Sequence, residues 1–169
     1  MTHYPHRPVR IAIIGERQTT PELEEAAETI GREIARRGGV LICGGMGGVM
    51  EAASRGAAGA GGVVVGVIPT DSAADANPHV TIPLPTGLGE GRNILVVRGA
   101  EAVIAVGGGY GTLSELGHAL KIGLPVIGVE TWEVSRPGLP PAPIEQTRDA
   151  QQAVAWAWEG ALRRRTGRR

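Results

Sequence analysis

Apolar residues along this chain fall into short, nearly unbroken runs at 9–14, 40–43, 63–68, 102–106 and 126–129, separated by longer mixed segments. Runs of this length without polar alternation predict strands covered on both faces, as in a parallel sheet flanked by helices. The mixed segments read as those helices. Thr20 and Pro21 supply an N-cap and a first-turn proline for a helix through Arg37, and Gly38 and Gly39 stop it. Further helices are predicted at about 49–60, 88–99, 113–123 and 147–163, the last starting near Asp149. Residues 70–85 are rich in Pro, Asp, Ser and Asn and read as a long connection with at most a short extended piece at 80–83. Residues 136–143 form a second proline-rich loop. Strand and helix therefore alternate, which predicts an α/β, doubly wound, Rossmann-like three-layer sandwich with a central parallel sheet. A chain of 169 residues suits one core, so a single Rossmann-like domain is expected over 1–162, with a basic, disordered tail at 163–169.

In open parallel sheets, ligands bind beyond the carboxyl ends of the strands, where strand order reverses. Two glycine-rich turns follow a strand and open a helix. They are Gly44, Gly45, Met46, Gly47 and Gly48 after Cys43, and Gly107, Gly108, Gly109, Tyr110, Gly111 and Thr112 after Val106. Glycine lets the backbone approach a guest, while the unbonded N–H groups and positive dipole end of the next helix attract an anion. The expected occupant is the phosphate of a nucleotide-like small molecule. Neither turn is a Walker pattern, because no lysine follows; Lys121 is the sole lysine of the chain.

Thr112 and Glu115 have the spacing of a capping box, in which they would only close a helix start. As site residues, the hydroxyl would meet the phosphate and the carboxylate would orient a water or stabilise positive charge on a ribose ring. Spacing leaves both readings open. Arg92, in Gly89, Glu90, Gly91, Arg92, Asn93, opens the helix before the run at 102–106, and its forked guanidinium suits a phosphate.

Charge narrows the partners. Seventeen basic residues balance seventeen acidic ones and Phe is absent, so neither a basic stripe nor a stacking platform for nucleic acid spans the domain, and nucleic acid is not the expected partner. The arginines at 163–165 and 168–169 are the exception, read as a solvated terminus. Cys43 sits alone in an apolar run and reads as a small buried hydrophobe, in agreement with a reducing compartment. No apolar stretch reaches membrane-spanning length and the first residues lack an apolar leader, so a cytoplasmic location is expected. Cys43 and the four histidines lack metal-ligand spacing, so no metal is expected.

The series Gly44-Gly45-x-x-Gly48-x-Met50, Gly66-Val67-Ile68-Pro69, Arg92 and Gly108-Gly109-Tyr110-Gly111-Thr112-Leu113-Ser114-Glu115 resembles the Lonely Guy, or lysine decarboxylase-like, family over roughly residues 9–130. Characterised members cleave the N-glycosidic bond of cytokinin nucleoside 5′-monophosphates. The resemblance implies a Rossmann-like fold, catalytic roles for Arg92 and Glu115, and ligand contacts at Gly15, Gly44, Gly45, Gly48, Met50, Asn93, Gly108, Gly109, Tyr110, Gly111 and Thr112. It also implies a homo-oligomer, dimer or tetramer. Contacts could come from the Arg92 helix or from Leu116, Ala119 and Leu120, a face equally explained by packing on the sheet. Two positions depart from that family: its proline ahead of the paired glycines is Gly107, and the lysine after the arginine is Asn93. These changes resemble a neighbouring branch that includes a molybdenum-cofactor carrier protein, which binds a phosphate-bearing pterin without turning it over. Two functions follow as expectations: a phosphoribohydrolase acting on a nucleoside 5′-monophosphate, or a carrier for a nucleotide or molybdopterin-type ligand. Neither requires a resident cofactor.

Overall fold

Each apolar run becomes a strand. A computed structural model describes residues 7–167. Its strands are β1 (Arg10–Ile14), β2 (Val40–Cys43), β3 (Val63–Ile68), β4 (Ile82–Pro85), β5 (Ala102–Val106), β6 (Val126–Val129) and β7 (Ile144–Gln146). All neighbours pair in parallel, in the order β4-β3-β2-β1-β5-β6-β7. The helices are α1 (Pro21–Arg36), α2 (Val49–Gly59), α3 (Asn93–Gly99), α4 (Tyr110–Lys121) and α5 (Ala150–Arg165).

Continuous hydrophobicity in the strands is explained by two core layers. Ile11 and Ile13 of β1 pack with Ile30 and Ile34 of α1, in the layer that also holds α2 and α5. Ala12 and Ile14 point the other way, toward Val97 of α3 and Leu116 of α4. Burying each large aliphatic side chain contributes about 1.5–3 kcal/mol, so neither face of β1 tolerates a polar residue cheaply. Leu116 and Ala119 are fully buried in this layer, and packing on the sheet accounts for them. The helix starts follow their sequence signals: the Thr20 hydroxyl accepts from Leu23 N–H at 3.3 Å, and Asp149 accepts from Gln151 and Gln152 N–H at 2.8 and 3.1 Å. No helix among the described residues is long and apolar enough to cross a membrane.

Four segments differ from expectation. The connection at 70–85 ends in a true edge strand, β4, where Pro83 and Pro85 are tolerated because one side of an edge strand needs no N–H donors. The three-residue β7 pairs with β6 at the opposite edge, too short and too polar to stand out in sequence. The helix expected over 88–99 is split into a 3₁₀ turn (Gly89–Arg92) and α3. The disordered tail is corrected: α5 runs through Arg165, whose guanidinium binds Glu101 at 2.6 and 2.7 Å. Residues 168 and 169 lie outside the described residues.

Candidate functional site

The chain lays down β1 to β4 toward one edge and then returns to place β5 on the other side of β1. Strand order therefore reverses between β1 and β5, and their carboxyl ends diverge into a cleft, as open α/β sheets require. The cleft has a volume of about 500 Å³. Gly15, Glu16 and Arg17 leave β1 into it, Gly44 reaches it from the first glycine turn and Met50 from the start of α2, and Glu90, Arg92 and Asn93 come from the 3₁₀ turn and the start of α3. Gly109, Tyr110, Gly111, Thr112 and Glu115 close it from the start of α4.

The two glycine turns have different jobs. In the second, Gly109 is the N-cap and α4 begins at Tyr110, so Thr112 lies inside the first turn. Thr112 is thus not an N-cap, and the capping-box reading fails. The first helical bond here is Leu113 N–H to Gly109 O at 3.0 Å, which leaves the amides of Tyr110, Gly111 and Thr112 ahead of it without helical partners. Gly108 is absent from the lining; its φ of 114° makes the bend possible, and a Cβ there would meet the Thr112 side chain at 2.5 Å.

The first turn is mainly a joint. The Val49 amide at the start of α2 donates to Glu16 O at 3.2 Å, and Asn77 binds the turn through Gly45 O at 2.8 Å and Met46 O at 3.0 Å. Gly45 and Gly48 pack on Ile68 and on the Glu16 and Arg17 carbonyls, and neither lines the cleft. Of the sequence candidates, Gly15, Gly44, Met50, Arg92, Asn93, Gly109, Tyr110, Gly111, Thr112 and Glu115 come together, while Gly45, Gly48 and Gly108 shape the turns behind them.

Arg92 is buried against Gly44, where any Cβ would lie 2.6 Å from its Nη2. It donates to Asn93 Oδ1 and to Gly44 O at 3.3 Å, and its Nε–H has no partner among the described residues. Glu115 is buried in the same cleft and makes no hydrogen bond or ion pair with a described residue. Burial pushes its carboxyl up to about 7 against the pull of Arg92, and burial likewise lowers Arg92 despite Glu115. Desolvation outweighs mutual attraction because the two groups face the cleft without forming a close pair. A cation with an unused donor thus shares a cleft with an acid that titrates near neutrality.

Sequence reasoning missed Glu16, Arg17, Glu90 and the loop after β6. In that loop the Thr131 hydroxyl donates to Gly107 O at 2.5 Å and Trp132 Nε1–H to Gly109 O at 3.2 Å, buttressing the second turn. A local signal existed for the first two, which directly follow Gly15 at the end of β1, and for Glu90, two residues before Arg92; the loop after β6 depends on contacts between distant segments.

Known proteins resemble this chain in sequence or in structure. An uncharacterized protein of Archaeoglobus fulgidus is 43% identical over 115 residues, covering 68% of this chain and 76% of the relative. The molybdenum cofactor binding protein of Rippkaea orientalis superposes with a TM-score of 0.72 at 40% identity, covering 75% of this chain and 78% of that one. The molybdenum cofactor carrier protein of Chlamydomonas reinhardtii reaches 0.80 at 31% identity, covering 92% of this chain and 99% of that one. The model of the SLOG cluster4 family matches residues 8–157, nearly the whole described chain, and the protein belongs to that family.

Proposed function

We propose that the cleft between β1 and β5 binds the phosphate of a molybdopterin-type or nucleotide-like small molecule, and that the protein carries this guest without turning it over. The observation that carries this reading is the meeting in one cleft of the Arg92 guanidinium and the amides of Tyr110, Gly111 and Thr112, which have no helical partners. A phosphate supplies acceptors for both. The cleft volume of about 500 Å³ suits one small molecule. Glu115 does not oppose the anion when protonated, and a phosphate near it would favour that form further. Similarity to the Rippkaea and Chlamydomonas proteins supports a molybdopterin-type cargo.

Calorimetric titration with inorganic phosphate, AMP and a pterin phosphate tests this. Binding heat is expected, weakened about tenfold or more by Arg92→Lys, which keeps the charge and loses the fork. No heat with any of the three would overturn the reading.

A second reading, hydrolysis of a nucleoside 5′-monophosphate at its N-glycosidic bond, is favoured by one observation: Arg92 and Glu115 line the same cleft. Near pH 7 Glu115 could activate a water or stabilise the oxocarbenium character of the breaking bond. Incubation with AMP and isopentenyl-AMP separates the two. Free base, lost in Glu115→Gln, supports hydrolysis; tight binding without release supports carriage.

A further inference from the structure

Of the two tyrosines in the chain, Tyr110 stands at the mouth of the cleft, and Trp132 packs beside it outside the lining. Tyr110 lines the cleft and is 83% exposed, so its ring offers open apolar surface there. Its ring lies 5.8 Å from that of Trp132, with the planes 31° apart. Trp132 is fixed in turn by its bond to Gly109 O. The pair therefore forms a held aromatic surface rather than a loose side chain.

Glu16 stands on the other side of the same turn. Its carbonyl accepts from Val49 N–H at 3.2 Å, which fixes the backbone. Its carboxylate has no hydrogen bond or ion pair with a described residue, and Oε2 lies 3.0 Å from where a Cβ on Gly109 would be. An unpaired carboxylate thus sits next to the residue that precedes Tyr110.

We infer that Tyr110, backed by Trp132, stacks the planar ring of the guest while Glu16 reads its edge, selecting a 2-amino-4-oxopyrimidine ring, as in guanine and pterin, over adenine. This rests on the phosphate-binding reading and specifies the guest. Stacking suits any flat heterocycle, so it supplies affinity without choice. The edge supplies the choice. A 2-amino-4-oxopyrimidine offers two parallel N–H donors, from the ring nitrogen and the amino group, and these match the two acceptor oxygens of a carboxylate. Adenine presents a lone pair at the corresponding ring nitrogen, which a carboxylate repels. If Glu16 served only to complement the dipole of α4, its charge would affect stability and not selectivity.

Titration of the full chain with GMP, IMP and AMP tests the inference, because IMP keeps the ring N–H and lacks the amino group. GMP is expected to bind roughly tenfold more tightly than AMP or better, with IMP between them. Glu16→Gln, which offers one acceptor and one donor, should erase the preference. Tyr110→Ala should weaken all three by a similar factor of about ten. Trp emission should change on GMP binding in the wild type and not in Trp132→Phe. Equal affinities in the wild type, or a preference that survives Glu16→Gln, overturn the inference. Binding of inorganic phosphate with no binding of any of the three nucleotides overturns it while the phosphate reading stands; failure of phosphate as well removes both.

Discussion

Among single residues, Glu115 has the carboxyl whose surroundings most alter its chemistry. Its folded value of about 7 lies above the ordinary 4.5, so the folded protein holds this proton more tightly than the unfolded chain does. Stability is therefore full below the ordinary value and is lost as pH rises through about 7. Glu115→Gln removes the ionisation and is expected to stabilise the apo protein at pH 8 by roughly 1–3 kcal/mol, while changing little at pH 4.5. Scanning calorimetry at the two pH values checks this, and an equal shift at both would contradict it. The spacing of Thr112 and Glu115 was legible in sequence, yet its meaning was not. Whether Thr112 capped a helix depended on where α4 began, and that start was set by Gly109 and the loop buttressing it.

At the level of elements, the closest approach is between α1 and α2. A Cβ on Gly56 would lie 1.9 Å from Glu28 O, and one on Gly31 would lie 2.0 Å from Ala53 O, so the two helices meet backbone to backbone. Alanine is the better helix former by about 1 kcal/mol, but the clash dominates. Gly56→Ala is expected to destabilise by about 2–3 kcal/mol, as overpacking does. Gly59→Ala on the same helix meets nothing within 4 Å and should be neutral or stabilising by up to about 1 kcal/mol. Urea unfolding of both variants provides the comparison; similar effects would refute the packing account. Glu28 reinforces the contact by binding Arg32 at 3.0 Å and Arg55 at 2.9 Å. The sequence predicted α2 as a helix, and only the packing partner explains why Gly56, and Gly31 facing it on α1, must be glycine.

For the molecule as a whole, Arg165 ties the last turn of α5 to the segments that lead into β1 and β5. It binds both oxygens of Glu101 and the carbonyls of Arg7 and Pro8 at 2.8 Å, at the amino-terminal edge of the sheet, opposite the cleft. Burial alone would raise the Glu101 carboxyl, but hydrogen bonds from Arg165 and the Arg10 amide hold it below the usual range. A depressed carboxylate contributes stability above its unfolded value, lost as pH falls through the folded one. Arg165→Ala should therefore cost about 1–3 kcal/mol at pH 7, and progressively less in acid. Phosphate affinity should be unchanged, since the tie and the cleft lie at opposite ends of the strands. Thermal unfolding from pH 7 downward, with titration at pH 7, tests both halves. An arginine run reads as solvated unless its partner is known, and Glu101 is too distant in sequence to be seen as that partner.

Local sequence determined the parallel sheet, its helices and most of the cleft. Unbroken apolar runs can be satisfied only between two covering layers, and a glycine turn between strand and helix puts its amides at the strand's carboxyl end wherever the sheet is parallel. Tertiary structure alone decided which turn faces the cleft and which serves as a joint. It also decided that Arg92 and Glu115 share one cavity, that Trp132 and Glu16 flank Tyr110, and that β4, β7 and the end of α5 are ordered. Each of these outcomes is a contact or pairing between segments far apart in the chain, and neither periodicity nor spacing encodes such a meeting.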